Sequence, residues 1–156
     1  MIRYYLTIVY NRQGRFVDAT TMARLVYDEL RRTMGQDNHL TVSIFWLSCT
    51  SLIKQGLYDN VEQNLVSCVA HFTRAGDAYQ VFHFTFGGHA KLGEMYLTVG
   101  QFDTARTELN ATQTGFNEMD GPTHSYSRAL LYTRFFLDAL DHPMDSIEAI
   151  VATKPS

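Results

Sequence analysis

The sequence predicts an all-α chain made of antiparallel helical hairpins stacked along a line. Three observations predict it. Glycine recurs at Gly14, Gly56 and Gly100, spaced 42 and then 44 residues apart. Around each glycine the same residue types return. An aromatic follows two positions on (Phe16, Tyr58, Phe102), and Ala or Val five positions on (Ala19, Val61, Ala105). A large apolar residue stands four before (Tyr10, Leu52, Tyr96) and a small one seven before (Thr7, Cys49, Gly93). A second glycine register lies about 21 residues further on, at Gly35, Gly76 and Gly121. A fixed period of this length marks a repeat architecture in which each unit buries its neighbour.

Each element then has its reason. The first glycine of a unit stands where one helix stops and its antiparallel partner begins, a place that favours left-handed backbone. The aromatic after it staples the second helix against the first, and the small residues let the two backbones approach. Helices are expected over about 2–12, 16–34, 40–54, 58–74, 79–98, 102–119, 124–140 and 145–152. The second helices carry apolar stripes at steps of 4, 3 and 4: Ala19-Ala23-Val26-Leu30, Val61-Leu65-Cys68-Phe72 and Ala105-Leu109-Thr112-Phe116. That is the spacing of one amphipathic face. His39 and His124 fall in equivalent turns, as capping or exposed residues.

The stretch 81–89 needs separate treatment. Phe82, Phe84 and Phe86 alternate with smaller or polar residues as in a strand, but the period requires a helix ending near Thr98. Gly87 and Gly88 inside that helix cost about 2 kcal/mol of propensity. A kinked or stepped helix, with the phenylalanines filling the gap to the second repeat, is therefore expected. The functional alternative is a hinge or an aromatic docking strip. Near the end, Asp141, His142 and Pro143 break the fourth helix pair. One domain over 1–156 follows, with repeats at about 1–38, 39–78 and 79–122 and a partial one at 123–152.

These spacings resemble the tetratricopeptide (TPR) repeat, best in the third unit with Leu92, Gly93, Tyr96, Gly100, Phe102 and Ala105. The usual period is 34, so 42–44 residues means longer helices and is similar to the kinesin-light-chain-type subclass. Comparable arrays occur in bacterial signal-transduction ATPases and transcription regulators. The run Met34 to His39 resembles that subclass's Gly-x-Asp-His-Pro turn, with His39 displaced by one. The resemblance implies a right-handed α-solenoid with a concave surface lined by the first helix of each hairpin. It covers about residues 4–140 and speaks to fold more than to function.

Composition narrows the function. Thirteen Lys and Arg against sixteen Asp and Glu give a net charge of −3, which removes the basic footprint of a nucleic-acid binder. No apolar run approaches the ~18 residues of a membrane span. Two cysteines in 156 residues are no disulfide framework, and no cleavage site follows the first ten residues. A reducing, cytoplasmic location is expected. Cys49 and Cys68 fall at core positions of the second repeat and are expected to be buried, inert thiols. No His-Glu-x-x-His or Gly-x-Ser-x-Gly occurs, and the six histidines lack ligand spacing. Gly88 to Gly93 has glycines at phosphate-loop spacing, but Glu94 and Met95 stand where Lys and Ser or Thr are needed. No catalytic residue, metal or cofactor is expected.

Counting back from each glycine places binding candidates on the inner face implied by the resemblance. They are Tyr4, Asn11 and Arg12 in the first repeat, Trp46, Thr50 and Lys54 in the second, and Glu94 and Thr98 in the third. Ile8, Ile53, Ala90 and Leu97 accompany them, with inter-repeat packing as the competing role. The Lys/Asn pattern by which chaperone-adaptor members hold a C-terminal carboxylate is not matched, because Ile8 and Thr50 stand where Asn is required. A non-catalytic scaffold that takes a protein or peptide in this groove is the leading expectation. The alternative is an effector-sensing segment of a regulator that binds a small ligand. The apolar start (Tyr4 to Tyr10) and end (Ile147, Ile150, Val151) predict adjoining repeats or a homo-oligomer stacked at the ends.

Overall fold

The computed structural model describes residues 2–75, 79–121, 123 and 138, with side chains left aside at 75, 79–83, 119 and 120. The described part is helical throughout: α1 (Ile2–Arg12), α2 (Phe16–Met34), α3 (His39–Lys54), α4 (Val61–Ala75), α5 (Tyr79–Thr98) and α6 (Phe102–Asp120). Each helix packs on the next, and the first helices also touch one another, α1 with α3 and α3 with α5. The result is an α-solenoid of antiparallel hairpins. The helices expected at 124–140 and 145–152, the break at Asp141–Pro143, Gly76, His124 and the apolar residues from Ile147 onward lie outside the described residues. Asp138 alone is described there; it is helical, and its Oδ1 accepts from Arg106 Nη1 at 2.9 Å.

The hairpin turns are made by one device used three times. Gly14, Gly56 and Gly100 all take φ between 72° and 79°. The amide after each glycine donates to the carbonyl of the residue four before it: Arg15 to Tyr10 (2.9 Å), Leu57 to Leu52 (3.0 Å) and Gln101 to Tyr96 (2.8 Å). The glycine amide itself donates to Asn11, Ile53 or Leu97. Carbonyls left open at the end of the first helix are thereby satisfied by main chain alone.

The apolar stripes face inward as their period requires. Ala19, Ala23, Val61, Leu65, Cys68, Phe72, Ala105, Leu109, Thr112 and Phe116 are all buried. The main core joins the second and third hairpins, with Cys49, Leu65, Leu92, Met95, Leu109 and Phe116 among its members. A smaller one, Ala23, Val26 and Ile44, joins the first hairpin to α3. The small residues Thr7 and Cys49 are buried. At Gly93 a Cβ would stand 2.6 Å from Leu109 Cγ, so the helices close on this glycine.

Three details depart from the sequence reading. α4 starts at Val61 and not near 58, because Asn60 takes a left-handed φ of 59° and Val61 N–H turns back to the Tyr58 carbonyl at 3.0 Å. The α3 cap is Asn38, whose Oδ1 accepts from the Leu40 amide at 3.0 Å, while His39 is the exposed first residue of the helix. The stapling aromatic is effective at Tyr58, which packs on the main core, whereas Phe102 is 42% exposed.

Candidate binding surface

Because α1, α3 and α5 touch one another, the candidate residues lie on one continuous layer of first helices. In the common register Tyr4, Trp46 and Ala90 are equivalent, and so are Arg12, Lys54 and Thr98. Tyr4 is half-buried against the smaller core; burial raises its phenol above the ordinary value, and a hydrogen bond with Ser43 opposes that rise. Asn11 is half-buried, and its Nδ2 is shielded from solvent with no acceptor among the described residues. Arg12 is exposed at the end of α1.

Trp46 has a more committed position. Its indole lies between α3 and α5, edge-on to Phe84 with ring centres 5.4 Å apart, and Phe84 stacks on Phe72 at 4.8 Å. A Cβ on Gly87 would stand 3.2 Å from Trp46 Cζ2, and one on Gly88 would overlap Val69 and approach the indole Nε1. The two glycines are thus the seat of the tryptophan. Against their propensity cost of about 2 kcal/mol stands the burial of the indole between the two helices. Phe84 does fill the gap to the second repeat. Phe86 instead turns toward α6, where it meets Phe116 and where Gly115 leaves room for its ring.

The polar candidates of the second and third repeats are brought together. Lys54 Nζ lies 3.4 Å from Glu94 Oε2, and Lys91 Nζ lies 2.8 Å from both Glu94 oxygens. The Thr98 hydroxyl donates to the Glu94 carbonyl at 2.9 Å. Lys91 is the residue that sequence reasoning missed; its spacing of three from Glu94 on one helix was the available signal. Thr50 is buried, and its hydroxyl donates to the Leu47 carbonyl at 2.8 Å. Ile53 belongs to the main core, with Ala90 and Leu97 packed against it; Ile8 is half-buried.

Away from this layer, the Tyr96 hydroxyl donates to Glu62 Oε1 at 2.7 Å, and His89 Nδ1 lies 2.6 Å from Glu108 Oε2. Burial first, and then Glu62, push the Tyr96 phenol up to about 12. Burial also pushes the Cys49 and Cys68 thiols up to about 12, so at neutral pH they are uncharged and poor nucleophiles. A cleft of about 470 Å³ opens between α1, α2 and the start of α3, lined by Ile2, Arg3, Tyr4, Val26, Glu29, Leu30 and Leu40. Of the eight candidates it includes only Tyr4.

No family model and no curated protein matches the sequence. Solved structures do match. One is a kinesin-light-chain-type protein of Podospora anserina with nearly identical TPR-like repeats. It superposes with a TM-score of 0.72 at 13% identity, over 96% of this chain and 72% of that one. The chain has the TPR-like repeat fold. In TPR-like arrays the extended face built by successive repeats is the surface commonly used to contact other proteins. No described helix of this TPR-like chain is long and apolar enough to cross a membrane. Among the described residues no group of three or more His, Cys, Asp or Glu could hold a metal ion.

Proposed function

We propose that this TPR-like chain is a non-catalytic interaction scaffold, and that its layer of first helices receives a peptide or a helix from another protein. The observation that carries this reading is the continuous layer of first helices, with the exposed cations Arg12 and Lys54 one repeat apart at one end. Asn11, beside Arg12, has a side-chain Nδ2 with no acceptor among the described residues, so this end of the layer favours a peptide rich in acceptors. Tyr4 and Trp46 supply apolar area at the other end. Glu94 holds Lys54 in place, Thr98 bonds to the Glu94 main chain, and the buried Thr50 supports the layer from within.

Selection of a random peptide library on the purified chain tests this reading. Enrichment of sequences bearing Asp, Glu or a free C-terminus, lost in an Asn11→Ala, Arg12→Ala double variant that keeps its helical circular dichroism, is the expected result. Selection that survives the double variant assigns recognition elsewhere. A second reading, a small-ligand sensor, is favoured by the 470 Å³ cleft, which falls within the ~300–1,000 Å³ range of ligand pockets. Among the described residues the cleft is lined mainly by apolar side chains, together with the Arg3 and Glu29 pair at 3.6 Å. Thermal-shift screening with Leu30→Glu as control separates this reading from the first. Cytoplasmic location belongs to the same proposal.

A further inference from the structure

We propose that a cavity in the second repeat binds a free aromatic amino acid, with the ring inside and the two charged groups at the mouth. The cavity measures about 160 Å³ and is built from α2, the turn after it, α3 and α4. It shares no residue with the 470 Å³ cleft or with the candidate residues of the first-helix layer. Its size selects a single ring. A space of ~150 Å³ with apolar walls holds one benzene molecule, and 160 Å³ falls short of the ~300–1,000 Å³ of drug-sized ligands. The inner walls are aromatic: the Tyr27 and Phe45 rings lie 5.1 Å apart at a tilt of 31°.

The third repeat shows what the fold itself puts in this place. There Phe86 is the equivalent of Val42, and its ring lies against Gly115, the equivalent of His71. The chain closes the site with its own phenyl group. In the second repeat Val42 is shorter and the His71 ring sits edge-on to Phe72 at 5.4 Å. A ring-sized space stays open between them and the Tyr27 and Phe45 pair.

The mouth carries polar groups that the repeat does not need for packing. Ser67, His71 and Arg74 follow one another on one face of α4, where the third repeat has Ala111, Gly115 and Glu118. Arg74 is exposed and spends only Nε within the helix, on the Ala70 carbonyl at 3.2 Å. Asp37 brings an exposed acid to the mouth from the turn between α2 and α3. Neither Arg74 nor Asp37 has an ion-pair partner among the described residues. An unpaired acid and an unpaired base at one mouth complement a ligand that carries both charges. A free α-amino acid does: its carboxylate accepts from Arg74 and Ser67, and its ammonium donates to Asp37. A ring bearing a phosphate brings a like charge to Asp37, and the last residue of a peptide lacks the ammonium.

Isothermal titration calorimetry of the full chain with L-phenylalanine is the test. Saturable binding with a Kd below about 1 mM is expected. Phenylalaninamide, which lacks the carboxylate, and N-acetylphenylalanine, which lacks the ammonium, should each bind about tenfold more weakly or worse. Arg74→Glu should weaken phenylalanine binding by about tenfold or more, and Val42→Phe, which restores the ring of the third repeat, should abolish it. Glu118→Ala, at the equivalent of Arg74 on α6, should leave it unchanged. All three variants should keep native circular dichroism; Arg74→Glu alters an exposed side chain and decides the matter even where Val42→Phe fails to fold. Absence of saturable binding, or binding that ignores Arg74→Glu, overturns the proposal. So does N-acetylphenylalanine binding as tightly as phenylalanine, which gives the cavity to the C-terminal residue of another chain. None of these outcomes depends on Arg12 or Lys54, so the cavity and the first-helix layer stand or fall separately.

Discussion

The first and third hairpins solve the same packing problem with opposite partners. Where the helices of the third hairpin cross, Gly93 has no side chain and the fully buried Leu109 fills the space. At the equivalent positions of the first hairpin stand Thr7 and Ala23, both fully buried. The second hairpin carries Cys49 and Leu65, a bulkier pair than either. The first and third hairpins therefore keep the combined size of the pair similar, and the second departs from it. This is how a close-packed interior tolerates sequence drift: volume is conserved across a contact while the residues on either side of it change.

Alkaline pH acts on one side of this comparison with the largest effect. Cys49, Cys68 and Tyr96 lie in the second and third hairpins, and each is pushed up to about 12. A raised folded-state value means that the folded chain holds these protons more tightly than the unfolded chain. Stability is then complete below about pH 9, the ordinary thiol value, and falls as pH rises toward about 12. The two buried thiols supply most of this effect, since their protons are the better shielded from solvent. Urea midpoints measured by circular dichroism should drop steeply between pH 9 and 12, and Cys68→Ala should flatten part of that drop.

The size rule itself breaks with single substitutions and is restored by a pair. Leu109→Ala should cost about 3 kcal/mol in urea unfolding, since it empties a fully buried site. Gly93→Thr should cost about 2–3 kcal/mol, because its Cβ meets Leu109 Cγ at 2.6 Å. Combined, the two recreate the Thr7 and Ala23 arrangement, and the double variant should be at least 1 kcal/mol more stable than additivity predicts. Additive losses would show that the third hairpin cannot adopt the spacing of the first. Gly14→Ala tests the turn that both hairpins share: at φ 73° an L side chain costs about 1 kcal/mol. The smallest effect is expected at Tyr5→Asp, within about 0.5 kcal/mol, as its exposed side chain is outside either core.

Sequence carried the architecture because the turns depend on local chemistry. A glycine with φ above 70° and a main-chain bond back to Tyr10, Leu52 or Tyr96 leaves a mark at fixed spacing, and the apolar stripes follow from it. The start of α4 escaped, since a left-handed Asn60 carries no signal comparable to glycine. The purpose of Gly87 and Gly88 escaped as well: it is written in Trp46, some forty positions earlier, and only the fold joins them. For the candidate surface, register placed residues on the right helices but not their partners. Nothing local says that Lys54 meets Glu94 or that the Thr50 hydroxyl turns back to Leu47. Pairing across helices is a property of the crossing, which one chain of letters does not spell out.

Trp46 is the sole tryptophan, and it is wedged against a glycine pair on the neighbouring first helix. The chain therefore carries its own optical strain gauge. Any change in curvature between the second and third repeats alters the polarity around that indole and the distance to the Phe84 ring. Emission wavelength and quenching then report bending of the array at one known joint, without a label and at the concentrations of a cuvette.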